Sequence, residues 1–203
     1  TTVNYAARHV PAIINACFPG EYGGQAVAEV IFGAYNPGGR LTCTTPRTVG
    51  QIPYAFPFKP GSDVENKSSL WGSLFPFGHG LSYTRFEYSD LVISRSTMLP
   101  TDSVTVTAKV KNVGLREGDE VVQLYVRDEV STVTTYTQVL RGFERISLKP
   151  GESQMVTFRL GPADLALRDK DMRFVVEPGD FTLMVGASSK DIRLTGTLNV
   201  TRP

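Results

Sequence analysis

Val104-Thr105-Val106-Thr107-Ala108-Lys109-Val110-Lys111 puts an apolar side chain at every second position and a polar one between. A period of two marks a strand with one face in a core and the other in solvent. The pattern returns downstream at Val122, Leu124 and Val126, then at Val156, Phe158 and Leu160, then at Phe181, Leu183 and Val185. It returns once more at Ile192, Leu194, Leu198 and Val200. Two turns of like chemistry separate these runs, Lys149-Pro150-Gly151-Glu152 and Glu177-Pro178-Gly179-Asp180. Proline presets φ at the second position of each and glycine supplies positive φ at the third, which predicts type II turns. Pro162 to Leu167 predicts a single helical turn. About seven short strands with such punctuation predict an antiparallel β-sandwich of the immunoglobulin or fibronectin type III kind, over residues 87–203.

Moving back along the chain, residues 47–86 are rich in Pro, Gly and aromatics, among them Pro53, Phe56, Pro57, Phe58, Trp71, Phe75, Pro76, Phe77 and Gly78. Proline and glycine deny this stretch long helices or ladders. So many aromatics argue against a solvated linker. It is predicted to be an extended arm packed over a neighbouring surface.

Residues 1–46 read as α/β. His9 to Phe18 is mostly apolar and is predicted as a strand buried on both faces. Ala26, Val27, Val30 and Ile31 fall at helical spacing within Gly23–Phe32, with Gly33 placed as the C-terminal cap. Arg40 to Thr44 is predicted as another short strand. A strand–helix–strand unit of this size cannot bury its own apolar faces, so it reads as the end of a larger α/β domain. The fold class is therefore mainly β: a β-sandwich preceded by a short α/β remnant and an aromatic arm.

Composition excludes several functions. Among 203 residues, 41% are apolar and 20% charged, with a formal net charge of +1. Such a balance lacks the basic field of a nucleic-acid binder, and no apolar run is long enough to span a bilayer. Thr1 to Ala7 hold no basic segment followed by an apolar stretch, so no signal peptide is expected there. Cys17 and Cys43 lie in apolar segments and are read as buried free thiols, a bridge between them remaining open.

Chemistry-bearing motifs are sparse. There is no phosphate-binding loop, dinucleotide fingerprint, zinc motif or nucleophile elbow, so no cofactor or metal is expected. His9 and His79 are the two histidines, and both read as structural. The acidic pairs Asp63 with Glu65, Asp119 with Glu120, and Asp169 with Asp171 read as solvated turn positions. Glu21 stands where a strand would hand over to a helix, the edge at which α/β sheets place ligands; the plainer reading is a carboxylate favoured by the helix dipole. Trp71 is a candidate for stacking on a sugar ring. Glu21 and Trp71 are the two candidate substrate-binding residues. Tyr125, Tyr136, Phe143, Phe158, Phe174 and Phe181 fall mostly in strand patterns that suggest core. Asn66-Lys67-Ser68 and Asn199-Val200-Thr201 match the glycosylation acceptor pattern.

Three sets of motifs resemble one family. Pro19-Gly20-Glu21-Tyr22-Gly23-Gly24 through Gly33, followed by Asn36-Pro37-Gly38-Gly39-Arg40-Leu41, resembles the end of the α/β sandwich domain in family 3 glycoside hydrolases. Phe75-Pro76-Phe77-Gly78-His79-Gly80-Leu81-Ser82-Tyr83-Thr84 is similar to that family's entry into its fibronectin type III-like domain. Val110 to Gly114, Gly118 to Val126 and Leu140 to Arg145 are similar to strands of that domain. The resemblance implies a secreted or periplasmic retaining β-glycosidase, β-glucosidase foremost, with β-xylosidase and other family activities as alternatives. Its substrates would be β-linked oligosaccharides or aryl glycosides. It implies an Asp nucleophile from a barrel domain and a Glu acid/base preceding Pro19, so no catalytic residue is expected in this chain. The implied partners are the N-terminal barrel and α/β sandwich portion of the same enzyme. A stand-alone carbohydrate-binding or structural module is the competing reading, and a binding module would present a row of surface aromatics.

Overall fold

The computed structural model describes residues 3–63 and 72–202. Two short helices open the chain, α1 (Asn4–His9) and α2 (Gly23–Ile31). In the arm, β1 (Thr45–Pro46) pairs antiparallel with β2 (Ser73–Phe75), and Val49–Gln51 forms a 3-10 turn. The strands that follow are β3 (Phe86–Ile93), β4 (Thr97–Met98), β5 (Val104–Asn112), β6 (Gly118–Asp128), β7 (Val139–Leu148) and β8 (Ser153–Leu160). After the helical turn α3 (Pro162–Leu165) come β9 (Leu167–Arg168), β10 (Phe174–Val175), β11 (Gly179–Gly186) and β12 (Ile192–Val200).

These strands form the expected sandwich. One sheet runs β4-β12-β11-β6-β7 and the other β3-β5-β8. Pairing is antiparallel apart from β4, which adds to β12 in parallel through Asn199↔Thr97 and Val200↔Met98. Register aligns the inward positions: Val104 with Leu160, Val106 with Phe158 and Ala108 with Val156. Those side chains join Val122, Leu124 and Val126 of β6 and Phe181, Leu183 and Val185 of β11 in one buried cluster. A one-residue slip would turn each set to solvent, so the alternation itself locks the pairing.

Gly142 of β7 shows how closely the sheets pack. A Cβ there would lie 2.7 Å from a ring carbon of Phe158. Gly142→Ala is therefore expected to destabilise the chain by about 1–3 kcal/mol through overpacking, read as a lower urea midpoint with an unchanged slope.

Turn chemistry divides the two similar tetrapeptides. Gly151 has φ +80° and the Glu152 amide donates to the Lys149 carbonyl at 3.0 Å, the expected turn. Glu177-Pro178-Gly179-Asp180 departs from it: the ladder with β12 starts at Gly179 itself, opposite Val200. The Glu177 carboxylate is instead engaged by the Thr132 amide at 2.9 Å and by the Thr132 hydroxyl. Pro162–Leu165 is the helical turn that was predicted.

The opening segment corrects three expectations. Residues 10–18 form no strand and are exposed throughout. A doubly buried strand takes hydrogen bonds from neighbours on both sides, and none of the described residues supplies one. Residues 40–44 form no strand either, although Leu41 exchanges backbone bonds with His79 and Gly78, each at 2.8 Å. Cys17 and Cys43 are unpaired but exposed, not buried: Cys17 lies in the uncovered stretch, and Cys43 stands at the surface beside the buried Thr44. Helix α2 does form where its period placed it, and Gly33 follows at φ +75°.

Candidate functional site

A dense polar construction joins the α/β segment to the sandwich. Asn36, Pro37 and Gly38 deliver Arg40 to the start of β6, where its Nη2 lies 2.5 Å from Oε1 of Glu120. The two side chains are 8% and 5% exposed, so the pair is buried. Arg40 Nη1 also donates to the Gly38 and Gly39 carbonyls. Only a residue without a side chain fits at Gly38, where a Cβ would meet Cβ of Asp119 at 2.6 Å. Burial raises the Glu120 carboxyl above its ordinary range, and the Arg40 charge and hydrogen bond pull it back only in part. Desolvation thus outweighs attraction for this group, the usual balance of a buried ion pair.

Around that pair the docking is specific. Asn36 Nδ2 donates to the Glu117 carbonyl at 2.9 Å, while its Oδ1 accepts from the Ser82 hydroxyl and the Tyr83 amide. Arg116 donates to the Gly33 carbonyl at 2.8 Å and the Tyr83 hydroxyl to the Val30 carbonyl at 2.8 Å. Both satisfy carbonyls at the end of α2, and the guanidinium suits that end of the helix dipole. Asp119 binds Arg145 and Ser147, and Arg145 also reaches the Tyr35 hydroxyl. Burial pushes the Asp119 carboxyl up, but the Ser147 and Arg145 bonds prevail and hold it low. Asp119 and Glu120 are therefore junction residues, not the solvated turn the sequence suggested.

The arm covers the outer face of β6. Phe56 stacks on Phe77 with centroids 4.6 Å apart and meets Tyr125 edge-on at 5.7 Å. Tyr125 is fully buried beneath them, outside the sandwich core, and its hydroxyl bonds Gln123. Gln123 in turn donates to the Gly78 and Ala187 carbonyls. His79 stacks on Phe75 at 5.4 Å, and burial, reinforced by the Arg40 charge, lowers its pKa. A neutral, packed histidine fits the structural role predicted for it.

The remaining candidates are dispersed. Glu21 is exposed, two residues before α2. Trp71, Glu65 and the Asn66 triplet lie outside the described residues. Asp169 is bonded by Arg173 in the turn between β9 and β10. Of the six aromatics expected in the core, Tyr125, Phe158 and Phe181 are buried; Tyr136, in the segment before β7, Phe143, on the edge strand β7, and Phe174, in the separate β9–β10 ribbon, are exposed. The Arg168 guanidinium covers the Phe174 ring at 4.1 Å.

One carboxyl outside the junction has a measurable signature. Burial lifts Asp128, at the end of β6, to a pKa of about 6, and its Oδ2 has no hydrogen-bond partner among the described residues. The unfolded chain releases this proton near the ordinary carboxylate value, so stability falls as pH rises from that value through about 6. Asp128→Asn is expected to flatten this part of the stability profile and to raise stability above pH 6; an unchanged slope would count against it.

Comparisons with known proteins assign the two parts. Residues 1–83 match the glycosyl hydrolase family 3 C-terminal domain, and residues 120–189 match the fibronectin type III-like domain. A β-xylosidase of Formosa agariphila is 45% identical over 193 residues, covering 93% of this chain and 27% of the relative. A periplasmic β-glucosidase of Salmonella typhimurium is 38% identical, covering 90% of this chain and 25% of the relative. A solved β-glucosidase structure from Erythrobacter marinus superposes with a TM-score of 0.91 at 40% identity, over 97% of this chain and 26% of that one. The chain spans about a quarter of the length of these relatives. Among the described residues no helix is long and apolar enough to cross a membrane.

Proposed function

We propose, for a chain that belongs to the family 3 glycoside hydrolases through their C-terminal region, that it is the non-catalytic closing part of a retaining exo-β-glycosidase. The preferred activity of the whole enzyme is removal of terminal β-D-glucosyl residues, with β-xylosidase as the alternative. The single observation that carries this reading is the uncovered apolar surface of the first segment. Phe18, Tyr22, Ile31 and Phe32 are 60% or more exposed, and in α1 and α2 only Gly23 is buried. Apolar surface gathered in this way marks a contact site. Its natural cover is the upstream barrel and α/β sandwich portion of the same enzyme, and the relatives are about four times as long as this chain.

In that assembly the chain's work is mechanical. The two carboxyls of a retaining pair stand about 5–5.5 Å apart across the scissile bond, and both come from the upstream portion. The divisions at 1–46, 47–86 and 87–203 follow the roles of docking segment, arm and sandwich. Glu21 and Trp71 remain this chain's candidates for touching substrate. A secreted or periplasmic location accords with the periplasmic relative.

The test is direct. The 203-residue chain alone is expected to hydrolyse neither aryl β-glucoside nor aryl β-xyloside, and turnover is expected once the upstream portion is supplied. Turnover by the chain alone would overturn the reading. The ratio of the two rates in the assembled enzyme decides between glucosidase and xylosidase.

A further inference from the structure

Beside the arm lies a polar groove of about 300 Å³ that the junction does not use. Four parts of the chain line it: Lys59 and Asp63 of the arm, Arg127 at the end of β6, Gln138 before β7, and Met184 with Lys190 in and after β11. Cross-links hold these parts in place. The Thr137 amide donates to the Phe58 carbonyl at 2.8 Å, Gln138 Nε2 to the Ser189 carbonyl at 2.6 Å, and the Ser189 amide to the Phe77 carbonyl at 3.0 Å. Lys190 meets Asp63 at 2.8 Å, and the Asp63 side chain is 8% exposed. The Tyr54 hydroxyl fixes the same carboxylate from its other oxygen.

We propose that this groove is an accessory saccharide site taking one pyranose unit of a neutral β-linked oligosaccharide. Charge is the first argument. Lys190 is matched by Asp63 and Arg127 by Glu129 at 3.4 Å, so of the groove's four charged side chains only Lys59 has no carboxylate partner among the described residues. Hydrogen-bonding capacity is the second. The Gln138 carbonyl oxygen and the Lys59 ammonium make no hydrogen bond among the described residues. They offer one acceptor and one multiple donor, the complement of neighbouring sugar hydroxyls. Third, Met184 supplies an apolar wall against which ring C–H groups pack. Finally, the cross-links mean that little ordering entropy is lost on binding. The choice of β-linked sugar rests on the glycosidase reading; the groove itself does not.

The experiment is a ¹⁵N NMR titration of the whole 203-residue chain with cellobiose, xylobiose and, as an acidic comparison, glucuronate. Saturable shifts confined to residues 59–63, 127, 137–138, 184 and 188–190 with a neutral disaccharide are expected. Gln138→Ala should weaken binding about five- to tenfold, the loss of one to two hydrogen bonds. Because Gln138 also bonds Ser189, Lys59→Met provides a second variant whose side chain holds no fold hydrogen bond, and it should weaken binding too. Absence of saturation, shifts elsewhere, a response to glucuronate alone, or unchanged affinity in both variants would each overturn the proposal. Binding is read here, not hydrolysis, so failure would leave the role in the larger hydrolase standing.

Discussion

Glu120→Ala lowers the unfolding free energy of this chain by about 3–5 kcal/mol, the loss expected when one partner of a buried ion pair is removed. The Arg40 side chain, 8% exposed, would keep its charge without the carboxylate that offsets it. Its Nε already lacks a hydrogen-bond partner among the described residues, so relaxation offers little relief. Arg40→Ala should cost a similar amount, since burial alone already works against the Glu120 carboxylate. The informative variant is the double replacement Arg40→Met with Glu120→Leu. Apolar side chains of similar volume carry no desolvation cost, so most of the loss should return. Urea unfolding followed by circular dichroism of the unaltered chain, Arg40→Met, Glu120→Leu and their combination gives all four corners of the cycle. A coupling near zero would mean that the pair sits at the junction without holding it.

Asn112→Asp is the second large effect, about 3 kcal/mol at neutral pH. Asn112 is fully buried at the end of β5 and uses every polar atom of its amide. Its Oδ1 accepts from the Thr84 hydroxyl at 2.6 Å and the Gly114 amide at 3.0 Å. Its Nδ2 donates to the Arg116 carbonyl at 2.7 Å and the Leu148 carbonyl at 2.8 Å. The substitution keeps the shape but points an acceptor at two carbonyls. Each buried group left unsatisfied costs about 1–3 kcal/mol, and more when charge is involved. The new carboxyl is better tolerated protonated, with one donor restored, so its folded pKa lies above its unfolded one. The penalty should then grow as pH rises through that interval and shrink in acid. Equal losses at pH 4 and pH 8 would contradict this account.

The strands were readable because their information is local. In β5 the burial alternates along the same residues that alternate in polarity, from Val104 to Val110. The arm was readable from composition, and Phe56, Phe58 and Phe77 do cluster over β6. Glu120 was misread, yet a signal existed. It shares the even register of Val122, Leu124 and Val126, so a charge stood at a position the pattern reserves for the inside. Its partner could not be read, because Arg40 lies 80 residues away and nothing local points across that distance. The saccharide groove was equally invisible, since its walls come from four separated segments.

Alternation, turn residues and aromatic content thus determined by themselves that this chain makes a β-sandwich with an arm, and helical spacing placed α2; the two strands expected beside it did not form. Periodicity speaks for one element at a time: it says which face is apolar, and the hydrophobic effect does the rest. Tertiary structure alone decided what each face meets. It buried Tyr125 on the outside of the sandwich, left the apolar run at residues 10–18 uncovered, and joined Arg40 to Glu120. Those outcomes depend on which distant segments arrive together, and burial is a property of the neighbours as much as of the residue.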